Sequence, residues 1–390
     1  MAAVLNLKQI MPLIIDNKPV KSQHMELEKI SFSNHKDKEF VKIVRKRVSD
    51  YFKTKNISRY GNGKMVVKSI VMLSMFFVPY FLMMFGVVTN PWLVYSMWLI
   101  MGAGMAGIGM SIMHDANHGA YSRNKHVNKL MGICSDLVGA SSTNWKIQHN
   151  VLHHTYTNVD GMDEDIDPSG VMRLSPHKKW YKIYTLQHIY AWFFYGLMTL
   201  FWVTTKDFRS VYKYRKLGLN NNLGNIYKAF AELSIWKVFY FSYILVLPMI
   251  FLAVPWWQVL LGFVSLHFVC GLTLSCIFQL AHVMPEMEYP QVNDTGSLEN
   301  NWAIHQILTT ANFSPRSKIF SWFIGGLNYQ IEHHLFPNIC HIHYKSISKI
   351  VKKTAQEFNL PYRSEPTFVK ALWSHAKMLK SLGSYNLTKG

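Results

Sequence analysis

Two long stretches without a charged side chain limit what this chain can fold into. No Asp, Glu, Lys or Arg occurs from Ser69 to Met113 or from Val238 to Ala281. A helix needs about 20 apolar residues to cross a bilayer, so each stretch is long enough for two crossings. A proline beside a tryptophan interrupts each stretch near its middle, at Pro91 and Pro255, as is typical of a turn at the bilayer surface. We therefore predict two helical hairpins, with spans at 66–88, 91–113, 236–253 and 256–281.

The alternative is a buried helix pair in a soluble protein, which is disfavoured because soluble core helices seldom run this long without charge. The 390 residues are 49% hydrophobic, so substantial segments must also face water. No Gly/Ser-rich or Pro-rich linker divides the chain. We predict an all-α integral membrane protein with a membrane domain at 66–345. A basic cytoplasmic segment, 1–65, precedes this domain, and a cytoplasmic tail, 346–390, follows it.

The formal net charge is +19, from 41 Lys and Arg against 22 Asp and Glu. The basic residues cluster outside the two hairpin turns, which carry none. Basic residues retained on one side follow the positive-inside rule. This pattern predicts that both termini and the long middle segment are cytoplasmic, and it favours membrane lipids over nucleic acid. The apolar stretch 183–205 is interpreted as an interfacial or re-entrant segment, because a crossing there would separate the histidine clusters.

Seven histidines lie in three short clusters beside the spans and an eighth, His282, stands alone after the last span; two pairs, 114/118 and 149/153, repeat a spacing of four residues. On one α-helix, residues four apart share a face. His154 follows His153 directly and would point about 100° away, so this doublet could serve two metals. Eight imidazoles are too many for one metal but suit two, which predicts a di-metal site in a cytoplasmic helical cap. The predicted ligands are His114, His118, His149, His153, His154, His282, His333 and His334.

Several residues near these clusters have weaker interpretations. Asp115 and Glu332 are expected to accept the second N–H of a metal-bound imidazole. Asp163 to Asp167 is interpreted as a solvated turn, from which Asp165 or Asp167 could also contact ligands. His267 lies within span four, roughly 22 Å from His282 along the helix, so it is expected not to bind metal. His305 is left open between a site neighbour and a surface residue. A surface or packing role is predicted for His24, His35, His126, His177, His188, His341, His343 and His375.

The four cysteines form no CxxC pair, which predicts neither a disulfide framework nor a zinc ribbon. The chain also shows no GxGxxG nucleotide fingerprint after a strand. Structural zinc would need only four ligands. Imidazoles with open coordination positions suit iron and oxygen chemistry instead.

The order and context of the three histidine boxes resemble the membrane fatty acid desaturase family. The boxes are HDANHGAY at 114–121, WKIQHNVLHHTYT at 145–157 and GGLNYQIEHHLFP at 325–337. The likeness covers residues from about 100 through 345. Glutamine at the head of the third box, Gln330, resembles the front-end desaturases, including linoleoyl-CoA-type enzymes.

This resemblance implies two iron ions that use dioxygen and two electrons to remove two hydrogens from an acyl chain. It implies that the seven box histidines are iron ligands, that His282 matches a lone histidine after the last span, and that Gln330 ligates weakly or shapes the site. Many front-end enzymes carry a fused cytochrome with a His-Pro-Gly-Gly motif, which this sequence lacks. Electrons are therefore expected from a separate ferredoxin or b-type cytochrome with its reductase. The expected substrate is an acyl-CoA or a lipid-bound fatty acyl chain.

Two other functions remain open on the sequence. The same histidine chemistry could insert oxygen, giving a membrane di-iron hydroxylase of lipid substrates. A membrane zinc hydrolase or a metal-bearing receptor would need fewer ligands and no electrons.

Overall fold

The computed structural model describes residues 30–33, 38–168, 170–219 and 225–385. Its helices, in chain order, are α1 (Lys38–Lys55), α2 (Gly63–Met84), α3 (Pro91–Asn117), α4 (Lys125–Gly132), α5 (Cys134–Leu137), α6 (Ser142–Trp145), α7 (Gln187–Phe201), α8 (Asp207–Lys216), α9 (Ile226–Phe251), α10 (Trp256–His282), α11 (Trp302–Leu308), α12 (Lys318–Phe323), α13 (Gln330–Leu335), α14 (Tyr344–Glu357) and α15 (Phe368–Leu382). Helical segments with other hydrogen-bond periods are Ile108–Met113, Lys146–His153, Glu164–Ile166, Lys182–Leu186, Trp202–Lys206, Ser242–Val246 and His341–His343. Two parallel pairs of two-residue strands are β1 (Ser31–Phe32) with β2 (Ser297–Leu298) and β3 (Asn312–Phe313) with β4 (Ser364–Glu365).

Four of these helices, α2, α3, α9 and α10, are long and apolar enough to cross a membrane. Only 39% of the most apolar window of α2 and 28% of that of α9 is buried inside the protein. Apolar surface left uncovered to this extent would be a large exposed patch in water. The chain is therefore an integral membrane protein, as predicted from its uncharged stretches.

The third span differs most from its predicted bounds, because it begins at Ile226 rather than at 236. The added turns carry Lys228 and Glu232, both exposed, and these charges kept the turns out of the predicted span. Lys237, inside the predicted span, lies within the protein, where its ammonium contacts the carboxylate of Asp207 at 2.6 Å.

Asparagine side chains begin the first two spans. The side chain of Asn62 accepts a hydrogen bond from the backbone N–H of Lys64, and that of Asn90 accepts one from Trp92. Pro91 follows Asn90 at the first helical position, where a missing N–H costs nothing. These caps explain why the turn predicted around Asn90 ends in a helix.

The second span, α3, packs between its neighbours through small residues. A side-chain carbon added at Gly102 would lie 2.6 Å from the carbonyl oxygen of Leu266 in α10. Trp98, one turn earlier, is fully buried in the same core. Only a glycine at 102 permits the backbones of spans two and four to approach this closely.

The stretch 183–205 is not among the four candidate spans. It forms α7, which continues through Trp202–Lys206 into α8. The hydroxyl of Tyr190, near the start, donates to the carbonyl of Val171, whereas Lys213, near the end, contacts Glu164 at 2.7 Å. Lys213 lies beyond residue 205, so it is the continuous helical run from 187 to 216 that contacts this loop near both ends. Whether the stretch 183–205 is interfacial or re-entrant stays a prediction.

Outside the spans, α1, α13 and α14 share a second core of buried apolar side chains, including Phe40, Ile331 and Val351. Arg47 of α1 contacts Glu357 at the end of α14 at 2.6 Å. The segment predicted as a C-terminal tail contains α14 and α15, both packed on the rest of the protein. His375 of α15, for example, bonds the hydroxyl of Tyr195 and the carbonyl of Val283. The predicted division at 65 and 345 thus falls between segments that pack together here.

Candidate metal centre

The eight predicted ligand histidines converge on one place at the ends of helices. Box one ends α3, box two follows α6, His282 ends α10, and box three lies in α13. Seven of the eight are buried, and His118 is partly exposed. The ring centroids of His154 and His334 are 4.4 Å apart, and those of His114 and His333 are 4.5 Å apart.

Two π-helical turns position the first two boxes. Ile108–Met113 precedes His114, and Lys146–His153 spans most of box two. A π-turn bonds residues five apart and is frequent at functional sites. It therefore brings His149 and His154 together, with their Nε2 atoms 3.2 Å apart. Simple α-helical geometry, used for the prediction, misses this pairing.

The histidines form three groups that could each hold a metal ion, and the third, His154, His333 and His334, overlaps the other two. The first cluster is His114, His118, His149 and His333; the second cluster is His153, His282 and His334. Within each, one nitrogen per residue lies within 4.8 Å of the others. His154 lies between the clusters, since its Nε2 is 2.9 Å from that of His333 while its ring stacks on His334.

In the second cluster, the outer nitrogen of each imidazole is anchored to the protein. His153 Nδ1 lies 3.1 Å from the carboxylate of Asp163, and His282 Nδ1 lies 3.1 Å from the carbonyl of Thr309. His334 Nδ1 lies 2.8 Å from Gln306 Oε1. Each partner is an acceptor, so Nδ1 carries the proton and Nε2 keeps its lone pair for a metal.

The inner nitrogens fit metal ligation. Among the described residues, the Nε2 atoms of His118, His282 and His334 are buried without a hydrogen-bond partner. Buried polar atoms are rarely left unpaired. Two ligands held about 2.1 Å from one metal at a right angle lie roughly 3 Å apart, close to the 2.9 Å between the Nε2 atoms of His154 and His333. The donor set therefore fits metal ions.

The electrostatics favour neutral imidazoles at most of these positions. Burial, followed by the neighbouring imidazoles, holds the pKa of His149, His154 and His334 well below the usual range. A ligand histidine must be deprotonated at its binding nitrogen. These side chains are therefore ready to bind a cation without first releasing a proton.

His153 differs because carboxylates surround it. Burial by itself lowers its pKa, but the charges of Asp163 and Asp165 outweigh burial and raise the pKa to about 9. The ligating form keeps the proton on Nδ1, facing Asp163. Binding of a metal at His153 would thus release the Nε2 proton.

The two carboxylates expected beside imidazoles have different partners. Asp115 Oδ1 lies 3.6 Å from His114 Nδ1, too far for a hydrogen bond, so the expected acceptance from this imidazole stays a prediction, and its other oxygen accepts from His341. Glu332 instead accepts hydrogen bonds from Asn312 and Tyr362. Burial raises the pKa of Glu332 to about 7. Its observed role is thus to tie α13 to the two segments beside it.

The acidic run after box two is not a solvated turn throughout. Asp163 is buried against His153, which corrects that interpretation, and Asp165 lies 3.4 Å from the same imidazole. Asp167 points away and pairs with Lys178. Gln330 is buried in the first turn of α13 with its amide nitrogen unpaired, so metal contact by Gln330 stays a prediction.

Sequence reasoning missed three partners of the ligands. Gln306 holds His334, Tyr344 lies 3.2 Å from His333 Nδ1, and His341 contacts Asp115. His341, assigned to surface or packing, is buried. Tyr344 and His341 could have been suspected only because they closely follow box three in the sequence. Nothing in the sequence around Gln306 indicated its contact with His334.

The remaining histidines are held by other contacts. His267 bonds the hydroxyls of Tyr240 and Thr199 on neighbouring helices, and that it binds no metal stays a prediction. His305 is buried beside Gln306, with its ring 5.5 Å from that of Phe32, which favours a site neighbour over a surface residue. His24 and His35 lie outside the described residues.

Comparison with known proteins places this geometry in a family. A family profile described as fatty acid desaturase matches residues 90–366. The sn-1 linoleoyl-lipid 6-desaturase of Synechocystis sp. is 34% identical over 365 residues, covering 91% of this chain and 98% of that protein. The acyl-lipid (8-3)-desaturase of Physcomitrium patens is 36% identical over 368 residues, covering 91% of this chain and 74% of that protein. The sn-1 linoleoyl-lipid 6-desaturase of Arthrospira platensis is 34% identical, covering 90% and 94%.

Proposed function

The chain belongs to the fatty acid desaturase family and is an oxidoreductase, and from this premise we propose that it desaturates acyl chains of membrane lipids at a site holding two iron ions. The observation that carries the proposal is the pair of histidine clusters, seven residues with His154 between them. Eight imidazoles exceed what one ion can coordinate, and two clusters suit two ions.

The reaction joins two hydrogens of the acyl chain with dioxygen, two electrons and two protons, giving one double bond and two water molecules. Bound iron would supply the oxygen chemistry, because no amino-acid side chain can attack an unactivated C–H bond. The protein orients the imidazoles and buries them away from water. The apolar surfaces of the four spans keep the site beside the lipid that contains the substrate.

We propose a front-end position for the new double bond, between an existing double bond and the carboxyl end. Support comes from Gln330 at the head of box three and from relatives named 6-desaturase and (8-3)-desaturase. The same names favour a lipid-bound acyl chain over an acyl-CoA.

Expression in a host that contains linoleoyl lipids but lacks the product tests this function. Gas chromatography of cellular fatty acids should show one new peak with an added double bond on the carboxyl side. His153→Ala should remove the peak, whereas His267→Ala should retain it. A hydroxylated product would instead identify a hydroxylase.

Metal analysis tests the cofactor separately. Protein purified from an iron-replete host should contain about two irons per chain, by the count of clusters. Active protein with stoichiometric zinc and no dependence on a reductant would contradict the iron proposal and favour the hydrolase alternative.

We propose that both termini and the metal centre face the cytoplasm, on the basis of the basic segments described above. All four native cysteines are buried, so they give little background for thiol labelling. Cysteines introduced at Val87 and Pro255, in the two turns, should react with an impermeant reagent from outside. Cysteines at Lys125 and Lys345 should react only after the membrane is opened. External labelling at Lys345 would reverse the proposed topology.

We propose that the separate electron donor docks at a cavity of about 540 Å³ beside box three. Arg45, Lys53 and Arg59 line it, together with Leu335 and Trp302. The indole N–H of Trp302 donates to the carbonyl of His154 at 2.9 Å, which links the cavity wall to the metal centre. Three cations at such a wall favour an acidic redox protein, steered by charge into a short-lived complex.

Kinetics with a purified ferredoxin or b-type cytochrome and its reductase test this docking. Turnover should fall as ionic strength rises from about 50 to 500 mM, since salt screens surface charges. Arg45→Glu with Lys53→Glu should raise the KM for the donor but not for the acyl lipid. Lys380→Glu, on the distant helix α15, is the matched control. Full turnover with NADH alone would show that no separate donor is needed.

A further inference from the structure

Span one contains a buried lysine beside the metal centre. Lys68 lies in α2, only 3% exposed, and follows a run of apolar residues. A lysine inside a membrane span is costly and usually has a functional partner. Its ammonium lies 2.7 Å from His341 Nε2 and 5.3 Å from the centre of the Trp322 ring.

The partners of Lys68 form a chain of hydrogen bonds that ends at Asp115, next to a predicted iron ligand. An ammonium only donates, so His341 Nε2 accepts and its Nδ1 carries the proton. That Nδ1–H donates to Asp115 Oδ2 at 2.9 Å, and the backbone N–H of His341 donates to the same oxygen at 3.1 Å. The other oxygen, Oδ1, lies 3.6 Å from Nδ1 of His114 in the first cluster.

We propose that Lys68, His341 and Asp115 are a relay of positioning residues for the first cluster, an inference that rests on iron binding there. The relay holds the Asp115 carboxylate 3.6 Å from His114 Nδ1, so it positions that ring by charge and not by a hydrogen bond. The ammonium of Lys68 balances the negative charge of Asp115, which would otherwise be left uncompensated in an apolar environment.

Asp115, His341 and the thiol of Cys340 lie close enough together to suggest a third metal site. The position of Lys68 argues against it. His341 Nε2 accepts from the ammonium at 2.7 Å, and His341 Nδ1 keeps its proton and donates to Asp115, so neither ring nitrogen is free for a cation. The group is therefore an ion-pair relay and not a metal site.

A second buried lysine provides a matched control. Lys237 in span three is 5% exposed and donates to Asp207 and to the carbonyl of Gly139, both at 2.6 Å. Asp207 also accepts from Asn144 and Trp202, and the described contacts of this pair include no cluster imidazole. The two lysines thus share burial and a carboxylate but differ in their connection to the metal centre.

The test compares Lys68→Met with Lys237→Met in the full-length protein, by iron affinity in chelator competition and by the unfolding temperature of the iron-free form. Both variants should unfold at a lower temperature. Lys68→Met should lower the affinity for one of the two irons about 10- to 100-fold, as expected when a residue that supports a ligand is lost. It should also change the Mössbauer spectrum of that iron. Lys237→Met should bind both irons as wild type does.

Substitutions at His341 test the direction of the relay. His341→Asn keeps a donor near the Nδ1 position and should retain more iron affinity than His341→Gln, which keeps a group only near the Nε2 position. Lys68→Arg retains the charge and should restore affinity where Lys68→Met loses it. Iron affinity and spectrum unchanged in Lys68→Met would overturn the relay, as would equal losses in both lysine variants. A wild-type protein without iron would instead overturn the proposed function.

Discussion

The two histidine clusters are held in different ways. In the second cluster, a hydrogen-bond acceptor fixes each imidazole: Asp163, Thr309 or Gln306. In the first cluster, the hydroxyl of Tyr344 lies 3.2 Å from Nδ1 of His333, and aromatic packing contributes more to the other three imidazoles. The indole of Trp145 stacks on His149 at 4.4 Å and meets the ring edges of His114 and His118, both at 5.6 Å.

The two kinds of contact differ in how firmly they hold an imidazole in its ligating orientation before metal binds. A hydrogen bond at Nδ1 fixes both the ring orientation and the tautomer of a ligand before metal binds. Stacking restrains the orientation of an imidazole less than a hydrogen bond does. An aromatic contact stabilises by only about 0.5–1.5 kcal/mol beyond the effect of burying the ring. We therefore expect the second cluster to bind its iron more tightly than the first.

The largest effects should follow removal of a ligand from either cluster. His334→Ala and His118→Ala should each lower turnover by more than about 100-fold, beyond the loss typical of an outer partner, because the reaction needs both irons. At limiting iron, His334→Ala should leave less iron bound, since it disrupts the tighter site. Bound iron is measured in both variants. A greater loss of iron in His118→Ala than in His334→Ala would contradict the expectation that the second cluster binds more tightly.

A smaller loss is expected when a ligand stays but its anchor is removed. Gln306→Leu deletes the acceptor for His334 Nδ1 and should weaken iron binding at the second cluster about 10- to 100-fold. Gln306→Glu keeps an acceptor oxygen and should lose less. Chelator competition measures both affinities, and equal affinity in Gln306→Leu and wild type would remove the basis for distinguishing the clusters.

Loss of packing at the first cluster should cost less still. Trp145→Leu removes the ring stacked on His149 and should weaken iron binding there about 2- to 10-fold, from the energy of one aromatic contact. Trp145→Phe should recover part of this loss. A larger loss than in Gln306→Leu would mean that packing, and not hydrogen bonding, dominates preorganisation.

The smallest effect on iron is expected at a histidine outside both clusters. His267→Phe breaks bonds to Tyr240 and Thr199 and should destabilise the fold by about 1–3 kcal/mol. Iron content and turnover per folded molecule should match those of wild type. Thermal unfolding and iron analysis on one preparation separate these effects, and loss of iron here would extend the site into span four.

The sequence predicted the parts of this molecule that depend on local patterns. Uncharged runs revealed the four spans, and the repeated spacing of four revealed box one. The π-helical turn through box two was missed, because its hydrogen bonds depend on packing that the spacing does not encode. The early start of span three was missed because Lys228 and Glu232, both exposed, interrupt the apolar pattern in its first turns.

The partners of the ligands were harder to predict because they come from distant segments. His341 lies 226 positions from Asp115, and Gln306 lies 28 positions from His334. Neither residue belongs to a histidine box. Asp163 is nearer to its ligand, but an acidic run looks like a solvated turn until burial is known.

The close backbone contact at Gly102 affects how the enzyme responds to a change in the surrounding bilayer. Spans two and four carry His118 and His282 at their site ends and touch at Gly102 and Leu266. A change in bilayer thickness ordinarily alters the tilt of membrane helices. Because these two helices are interlocked, they should tilt as one body, so the spacing between the two histidine clusters should stay constant while lipid composition and temperature change around it.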